Sequence, residues 1–286
     1  MAAIFSIIIP HHNIPSLLHR CLTSIPETED IEVIIVDDNS DPNKVDFNNI
    51  VHNIRKNCKI IRTYLGKGAG YARNIGLQQA TGKWVIFSDA DDYFTQNAFD
   101  VFRKNIDDPA DMIIFKADSV DSNTLEPAKR SEKINIVVER CLNNTGNIKE
   151  NVLSFHAPWG RMIKKSFIDN NNLSFDEVIA SNDTMFTTRV SCLTDKISFS
   201  DEKVYVITYR QGSLWDNKNT NPTNFLVRLE VQIARNKYVS QFGYSKTPII
   251  GQVFKAYQFG LRYFFTALWM AIRSRAIFDG LREYID

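Results

Sequence analysis

Cysteine is scarce and scattered in this chain: Cys21, Cys58, Cys141 and Cys192 are its four, and no two form a C-x-x-C pair. That spacing argues against a structural zinc site and favours free thiols in a reducing cytoplasm. Long apolar runs are missing as well. The longest uncharged apolar stretch, Tyr263 to Ile272, falls far short of the roughly 20 residues needed to cross a bilayer, so no transmembrane helix is expected. Residues 1–10 carry neither the charged start nor the long apolar run of a signal peptide. Net charge is nearly absent too. With 34 Lys/Arg against 33 Asp/Glu the chain stands at +1, which gives no electrostatic reason to expect nucleic acid as a partner. Internal repeats and low-complexity segments are also lacking.

What remains is an ordinary globular composition, 44% hydrophobic and 23% charged over 286 residues, enough for one large domain with an extension or for two domains. The charge is unevenly spread. Residues 223–286 hold nine Lys/Arg against four Asp/Glu, while the rest holds 25 against 29. A basic tail of this kind meets an anionic partner or packs on the acidic body.

Over the first 120 residues, short apolar runs alternate with helical patterns. Strands are expected at Ile4–Pro10, Ile31–Asp37, Lys59–Leu65, Lys83–Phe87 and Asp111–Phe115. Most are unbroken and β-branched, as in a parallel sheet covered on both faces. Helices are expected at Pro15–Ser24, Lys44–Lys56, Gly70–Ala80 and Gln96–Ile106, with Pro15 in a first turn and Thr95 as a cap. The rhythm predicts a doubly wound α/β fold, in which ligands bind beyond the carboxyl ends of the strands. The segments at those ends are polar, acidic or glycine-rich: Pro10-His11-His12-Asn13, Asp37-Asp38-Asn39-Ser40, Gly66–Asn74, and Asp89-Ala90-Asp91-Asp92.

The last of these is the most telling. Three carboxylates in four residues repel one another and become favourable when a divalent cation neutralises them, and oxygen ligands suit Mg²⁺ or Mn²⁺. A polar turn closing a strand is the plainer alternative. Gly68-x-Gly70 after a strand invites a dinucleotide reading, but Arg73 stands where the third glycine of G-x-G-x-x-G belongs, and the loop comes after the third strand. Lys67 is not followed by Ser or Thr, so there is no Walker loop. Further along, Asp118–Ser154 reads as loops with one or two helices. Asn182 or Asp183 opens a helix running through Cys192, and Val204–Tyr209 is a strand. Beyond Thr223 two helical stripes are expected, Leu226/Leu229/Ile233 and Phe254/Tyr257/Leu261/Phe265/Leu268.

Taken in order, Ser6–Asn13, Glu32–Ser40, Ala72-Arg73-Asn74-Ile75-Gly76-Leu77 and Gly82–Asp92 resemble the motifs of the family 2 glycosyltransferases, which have the GT-A fold. The resemblance is strong over residues 4 to about 100 and resumes at Pro158-Trp159-Gly160 and Asn182-Asp183. It implies an inverting, hexosyl-type transfer from a nucleotide-sugar, usually UDP-linked, with Mn²⁺ or Mg²⁺. By the same resemblance Asp38 or Asp37 would bond the base, and Pro10, His12, Asn13, Arg73 and Ala90 would border the nucleotide. Asp89 would face ribose or metal, and Asp91 would hold the metal as the second acid of D-x-D. Asp183 would be the base that takes the acceptor's proton, although Asn182 stands where many relatives carry Glu. Asn-Asp before an apolar-periodic stretch is equally a plain helix start.

Two readings of Trp159 stand side by side, a platform for the acceptor sugar beside Asn182, and a core tryptophan. The Arg210–Leu214 turn either closes over the diphosphate or ends a strand. The aromatic C-terminal helices, with Arg262, Arg273, Arg275 and Arg282, suit membrane-surface contact, a helical cap or a homodimer interface. The expectation is a GT-A domain over 1–222 (nucleotide part about 1–118, acceptor part about 119–222) and a helical extension over 223–286. It would act in the cytoplasm or on the inner face of the cell membrane, on a glycan or lipid-linked oligosaccharide acceptor of O-antigen or capsule type. A nucleotidyltransferase and a non-catalytic sugar-nucleotide-binding or scaffold protein are the alternatives.

Overall fold

The computed structural model describes residues 3–46, 56–210 and 220–280. The helix expected over Lys44–Lys56, the Gln211–Leu214 part of the turn and Arg282 lie largely or wholly outside them.

Strand β1 (Phe5–His11) is buried along its whole length, which only a central strand covered on both faces can be. It pairs in parallel with β2 (Ile31–Asp38) on one side and β4 (Trp84–Phe87) on the other, and β3 (Cys58–Thr63) adds in parallel to β2. Helix α1 (Pro15–Thr23) carries Pro15 in its first turn, as expected. Helix α2 (Ala69–Gln79) lies against β1 and β2, where Gly76 lets it approach so closely that a methyl group would overlap Ile8. These parallel strands match the expected ones to within two residues at each end.

Beyond β4 the sheet turns mixed. The fifth expected strand is the first half of a longer β6 (Met112–Asp121), and it does not pair with β4. Between them lies β7 (Arg161–Lys164), antiparallel to both. Four residues are too few to display a period, so the sequence gives β7 no strand signal. The second half of β6 alternates buried and partly exposed side chains, a one-faced pattern that reads as loop when both faces are assumed covered. Strand β8 (Ile197–Tyr209) runs parallel to β6 with a bulge near Lys116, and short β5 (Tyr93–Phe94) pairs antiparallel with β8. Among the described residues the sheet has eight strands, ordered β3-β2-β1-β4-β7-β6-β8-β5. Helix α3 (Ala98–Lys104) begins after Asn97, and Thr95 does not cap it. Its hydroxyl instead donates to the Lys203 carbonyl and to Asn97. Helices α4 (Glu132–Leu142), α5 (Ile148–Leu153), α6 (Lys165–Asn170) and α7 (Thr184–Leu193) complete this part. All four cysteines are free thiols, and burial pushes Cys21 up to about 12.

The C-terminal helices α8 (Pro222–Val239), α9 (Ile250–Lys255) and α10 (Leu261–Arg273) gather a separate apolar cluster from Phe225, Leu229, Ile249, Val253, Ala256, Ala267 and Ala271. The first expected stripe packs here. The second does not. Phe254, Tyr257, Leu261 and Phe265 are 64%, 62%, 60% and 59% exposed, and of that stripe only Leu268 joins the cluster. The period assumed one continuous helix, whereas a 3₁₀ turn and Gly260 at φ +105° separate α9 from α10 and reset the phase. Small side chains, Ala267 and Ala271, face inward instead.

Candidate active site

Ser88 extends β4 by donating its N–H to the Ile8 carbonyl, and the chain then turns, with the Asp92 N–H bonded to the Asp89 carbonyl. The turn is fastened from behind. The Tyr205 hydroxyl accepts the Asp89 N–H at 2.9 Å, the Thr208 N–H donates to Asp92 Oδ1 at 2.7 Å, and the Asp91 carbonyl accepts from Thr208 Oγ1 and Arg20 Nη2. With its backbone held this way, the turn leaves Asp89, Asp91 and Asp92 lining an open cleft, Asp92 being only 2% exposed with its Oδ1 taken by the Thr208 N–H. Burial, and then repulsion from Asp89, raises the Asp91 carboxyl. Burial and both neighbouring acids raise Asp92 further.

Arg73, nearly buried on α2, reaches across to this turn. Its Nη2 donates to Asp89 Oδ1 at 2.6 Å and its Nη1 to Asn182 Oδ1 at 2.9 Å, while the guanidinium stacks 5.3 Å from the Phe175 ring centroid. One side chain therefore ties the acidic turn to the loop that precedes α7. Charge-assisted bonds of this kind are about twice as strong as neutral ones, so the link is a firm one.

Asp183 occupies the N-cap position of α7, yet its side chain makes no capping hydrogen bond. The helix therefore starts where the sequence placed it, and Asp183 also lines the cleft with Asn182 and Ser181. Desolvation raises its carboxyl despite the opposing pull of Arg73. Arg161, 1% exposed, is drawn down to about 10 by its own burial, with Asp183 the charge that opposes this.

At the ends of β1 and β2 several side chains bond across the two loops. Asp37 accepts from His11 Nδ1 at 2.7 Å and from Ser40 Oγ at 2.5 Å. Burial pushes its carboxyl up, but these bonds outweigh burial and hold it below the usual range. Asp38 Oδ1 accepts from Thr63 Oγ1 at 2.7 Å, and its Oδ2 takes the Gly68 N–H at 2.5 Å, which fixes the entry to α2. Asn13, at φ +58°, joins the two loops through the Ser40 hydroxyl and the Asp41 N–H. Of the residues singled out in the sequence, Pro10, His12, Arg73, Asp89, Ala90, Asp91, Asn182 and Asp183 line one cleft of about 460 Å³, whereas Asn13, Asp37 and Asp38 sit behind it. Trp159 is elsewhere. It is 7% exposed, stacks on Tyr205 with ring centroids 5.7 Å apart, and packs in the core.

Sequence reasoning missed several cations at this cleft. Arg130 and Arg228 line it, and Arg20 braces the acidic turn through the Asp91 carbonyl. Each comes from a segment without a recognisable motif, and the only hint was the basic balance beyond Thr223. Arg210, flagged as a turn residue, lines the cleft as well. Among the described residues no group of three or more His, Cys, Asp or Glu is arranged to hold a metal ion. The donor set nonetheless fits a divalent cation that takes its remaining ligands from a substrate. Asp91 is a desolvated carboxylate repelled by Asp89, and a cation between cleft and substrate would relieve both penalties.

Gly70 explains how α2 and the Asn182 loop come so close. A Cβ at this position would overlap the Asp176 carbonyl and stand 2.9 Å from Asn182 Cβ. Gly70→Ala should therefore cost about 1–3 kcal/mol through overpacking and displace the segment that carries Asn182 and Asp183. Denaturant titration of the variant beside the native chain checks this, and an unchanged unfolding midpoint would contradict it.

Comparison with known proteins agrees with this architecture. The chain is 26% identical over 233 residues to a poly(ribitol-phosphate) beta-glucosyltransferase of Bacillus spizizenii, covering 79% of this chain and 35% of that one. This chain thus spans about a third of the length of that relative. Its structure resembles that of Staphylococcus aureus TarS in complex with UDP-GlcNAc, with a TM-score of 0.62 at 23% identity over 82% of this chain and 65% of the other. It also resembles the mannosyltransferase PcManGT of Pyrobaculum calidifontis in complex with GDP-Man and Mn²⁺, with a TM-score of 0.59 at 15% identity over 94% and 75%. The shared architecture is the GT-A fold. The model of glycosyl transferase family 2 matches residues 6–171, more than half of the sequence, and the chain belongs to that family.

Proposed function

We propose that this chain transfers a sugar, with inversion, from a UDP-linked donor to a hydroxyl of a surface glycan. The observation that carries the reading is the pairing of two acidic groups across one cleft. Asp89 and Asp91 stand on the β4 side and an uncapped Asp183 on the α7 side, with Arg73 reaching both Asp89 and Asn182.

In a single displacement the acceptor oxygen bonds to the anomeric carbon as the bond to the diphosphate breaks, and that bond's electron pair leaves with the phosphate oxygen. A hydroxyl is a weak nucleophile, so its proton must pass to a base as attack proceeds. The Asp183 carboxylate takes it, and the desolvation that raises this group also makes it a better proton acceptor. On the other side, Asp91 and Asp89 would hold Mn²⁺ or Mg²⁺, which supplies positive charge against the departing diphosphate. Arg130 and Arg210, whose charges already act on Asp91, add to the same field. Either acid of the β2 pair could meet a base. Each oxygen of Asp38 accepts one bond and can take a second, and Asp37, whose Oδ2 is engaged with His11 and Ser40, has an Oδ1 that accepts only the Ser40 N–H. The UDP-GlcNAc bound by TarS and the polyol-phosphate named for the Bacillus relative support a UDP-sugar and a cell-surface polymer as donor and acceptor classes.

The test is UDP release from a panel of UDP-sugars, measured with Mn²⁺, with Mg²⁺ and with a chelator. Turnover of at least one donor that falls to background in the chelator is the expected result. Tight nucleotide binding with no release under any of these conditions would make the chain a binding protein instead.

A further inference from the structure

A run of exposed apolar side chains among the described residues lies far along the chain from the cleft residues of the sheet. On α10, Leu261, Phe265, Trp269 and Ile272 are 60%, 59%, 56% and 56% exposed. Their spacing of four, four and three residues puts them on one helical stripe. Tyr257 and Phe254 continue this surface through Phe264, whose ring centroid lies 6.4 Å and 6.1 Å from theirs and 5.3 Å from that of Phe265. Monomeric soluble proteins rarely leave so continuous an apolar area uncovered unless it binds something.

Its surroundings are basic. Lys255, Arg262, Arg273 and Arg275 are all exposed, and the Arg273 guanidinium stacks 4.9 Å from the Trp269 ring centroid. Between residues 246 and 280 the single acid is Asp279, and Lys246 pairs with it at 2.9 Å. A groove of about 870 Å³ opens beside Trp269 and Met270. Lys237, Lys246, Arg273 and Arg275 line it together with Glu230 and Asp279. Aromatic and aliphatic side chains next to a mostly cationic rim match a surface that is apolar a few ångströms in and anionic at its boundary.

We propose that this face of α9 and α10 docks on an anionic lipid bilayer, with the aromatic side chains entering the interface and the lysines and arginines meeting lipid phosphates. A second copy of the chain suits the face poorly. A two-fold pairing brings each patch against itself and so sets its cationic rim against an identical one. The proposal is independent of the sugar-transfer reading and could hold if that reading failed.

The test is co-sedimentation of the full chain with vesicles of phosphatidylcholine alone and of equal parts phosphatidylcholine and phosphatidylglycerol. Binding to the mixed vesicles, weaker in high salt and weak on phosphatidylcholine alone, is expected. Phe265→Ser with Trp269→Ser should weaken that binding by roughly tenfold or more, and so should Arg262→Gln with Arg273→Gln, since each basic residue near the surface contributes measurably. All four positions are exposed and none borders the cleft, so UDP release should be unchanged in both double variants, which separates this proposal from the catalytic one. Failure of the intact chain to bind mixed vesicles overturns the proposal. So does binding by both double variants as tight as that of the native chain, or a stable dimer in solution that the Phe265/Trp269 variant dissolves.

Discussion

Asp183→Asn should abolish most sugar transfer while leaving a chain at least as stable as the native one. A positioned base contributes about 10²–10⁴ to the rate, and an amide of the same shape cannot accept the proton, so kcat should fall by that factor with little change in donor KM. The stability half rests on linkage. The folded carboxyl is raised above the ordinary aspartate value near 3.8, so the unfolded chain ionises first as pH rises. Stability therefore drops between that ordinary value and the raised folded value, and it stays lowered at higher pH. Asn carries no such penalty, and the variant should melt no lower than the native chain at neutral pH. The same shift sets a pH signature. The base works only when ionised, so the acid limb of the native kcat profile should lie above 3.8, and the variant's residual rate should lack that limb. A variant that keeps more than a small fraction of native turnover would move the base elsewhere.

Asp91→Asn should lower kcat by about 10²–10³, the loss typical when one preorganised group that stabilises developing charge is removed, and it should flatten the response to added Mn²⁺. Asp91 is the more informative of the pair, because Asp89 also anchors Arg73, and removing it would loosen the Asn182 loop as well. The side chain of Asp91 has no such structural duty, for the bonds from Thr208 and Arg20 reach its backbone carbonyl. Since burial and Asp89 both raise its carboxyl, Asn should relieve repulsion and raise the melting temperature slightly. Titrating Mn²⁺ against UDP release in both proteins decides the matter. An unchanged metal response in the variant would exclude Asp91 as a ligand.

Much of the sheet was legible because β1, β2 and β4 are short, β-branched and covered on both faces, so hydrophobicity alone marks them. The loops at their carboxyl ends were legible for the same reason, since each begins where an apolar run stops. Strand β7 was not. Its four residues carry Arg161 and Lys164, and their place between β4 and β6 is decided by pairing partners about fifty to eighty positions away. The C-terminal stripe failed because a period can be read only within one helix, and Gly260 ends one and starts another. Trp159 shows a different limit. A tryptophan beside a motif suits a sugar and a core equally well, and Tyr205, which stacks on it, lies on a strand whose partners the sequence does not announce. Asp183 was placed by family resemblance, while its missing cap bond could come only from coordinates. Arg20, Arg130 and Arg228 could not be found locally at all, because each meets the site through folding of distant segments.

The fastening of the acidic turn bears on how the protein matures. The bonds from Arg20, Tyr205 and Thr208 that brace Asp89 to Asp92 from behind come from α1 and β8, and the β8 partners lie 116 or 117 positions downstream. Contacts of such separation form late, after shorter loops have closed. The parallel half of the sheet can assemble first, but its carboxylates take their working arrangement only when β8 docks. Nucleotide affinity should therefore be the last property to return on refolding, and a chain cut before β8 would keep the motif without the site.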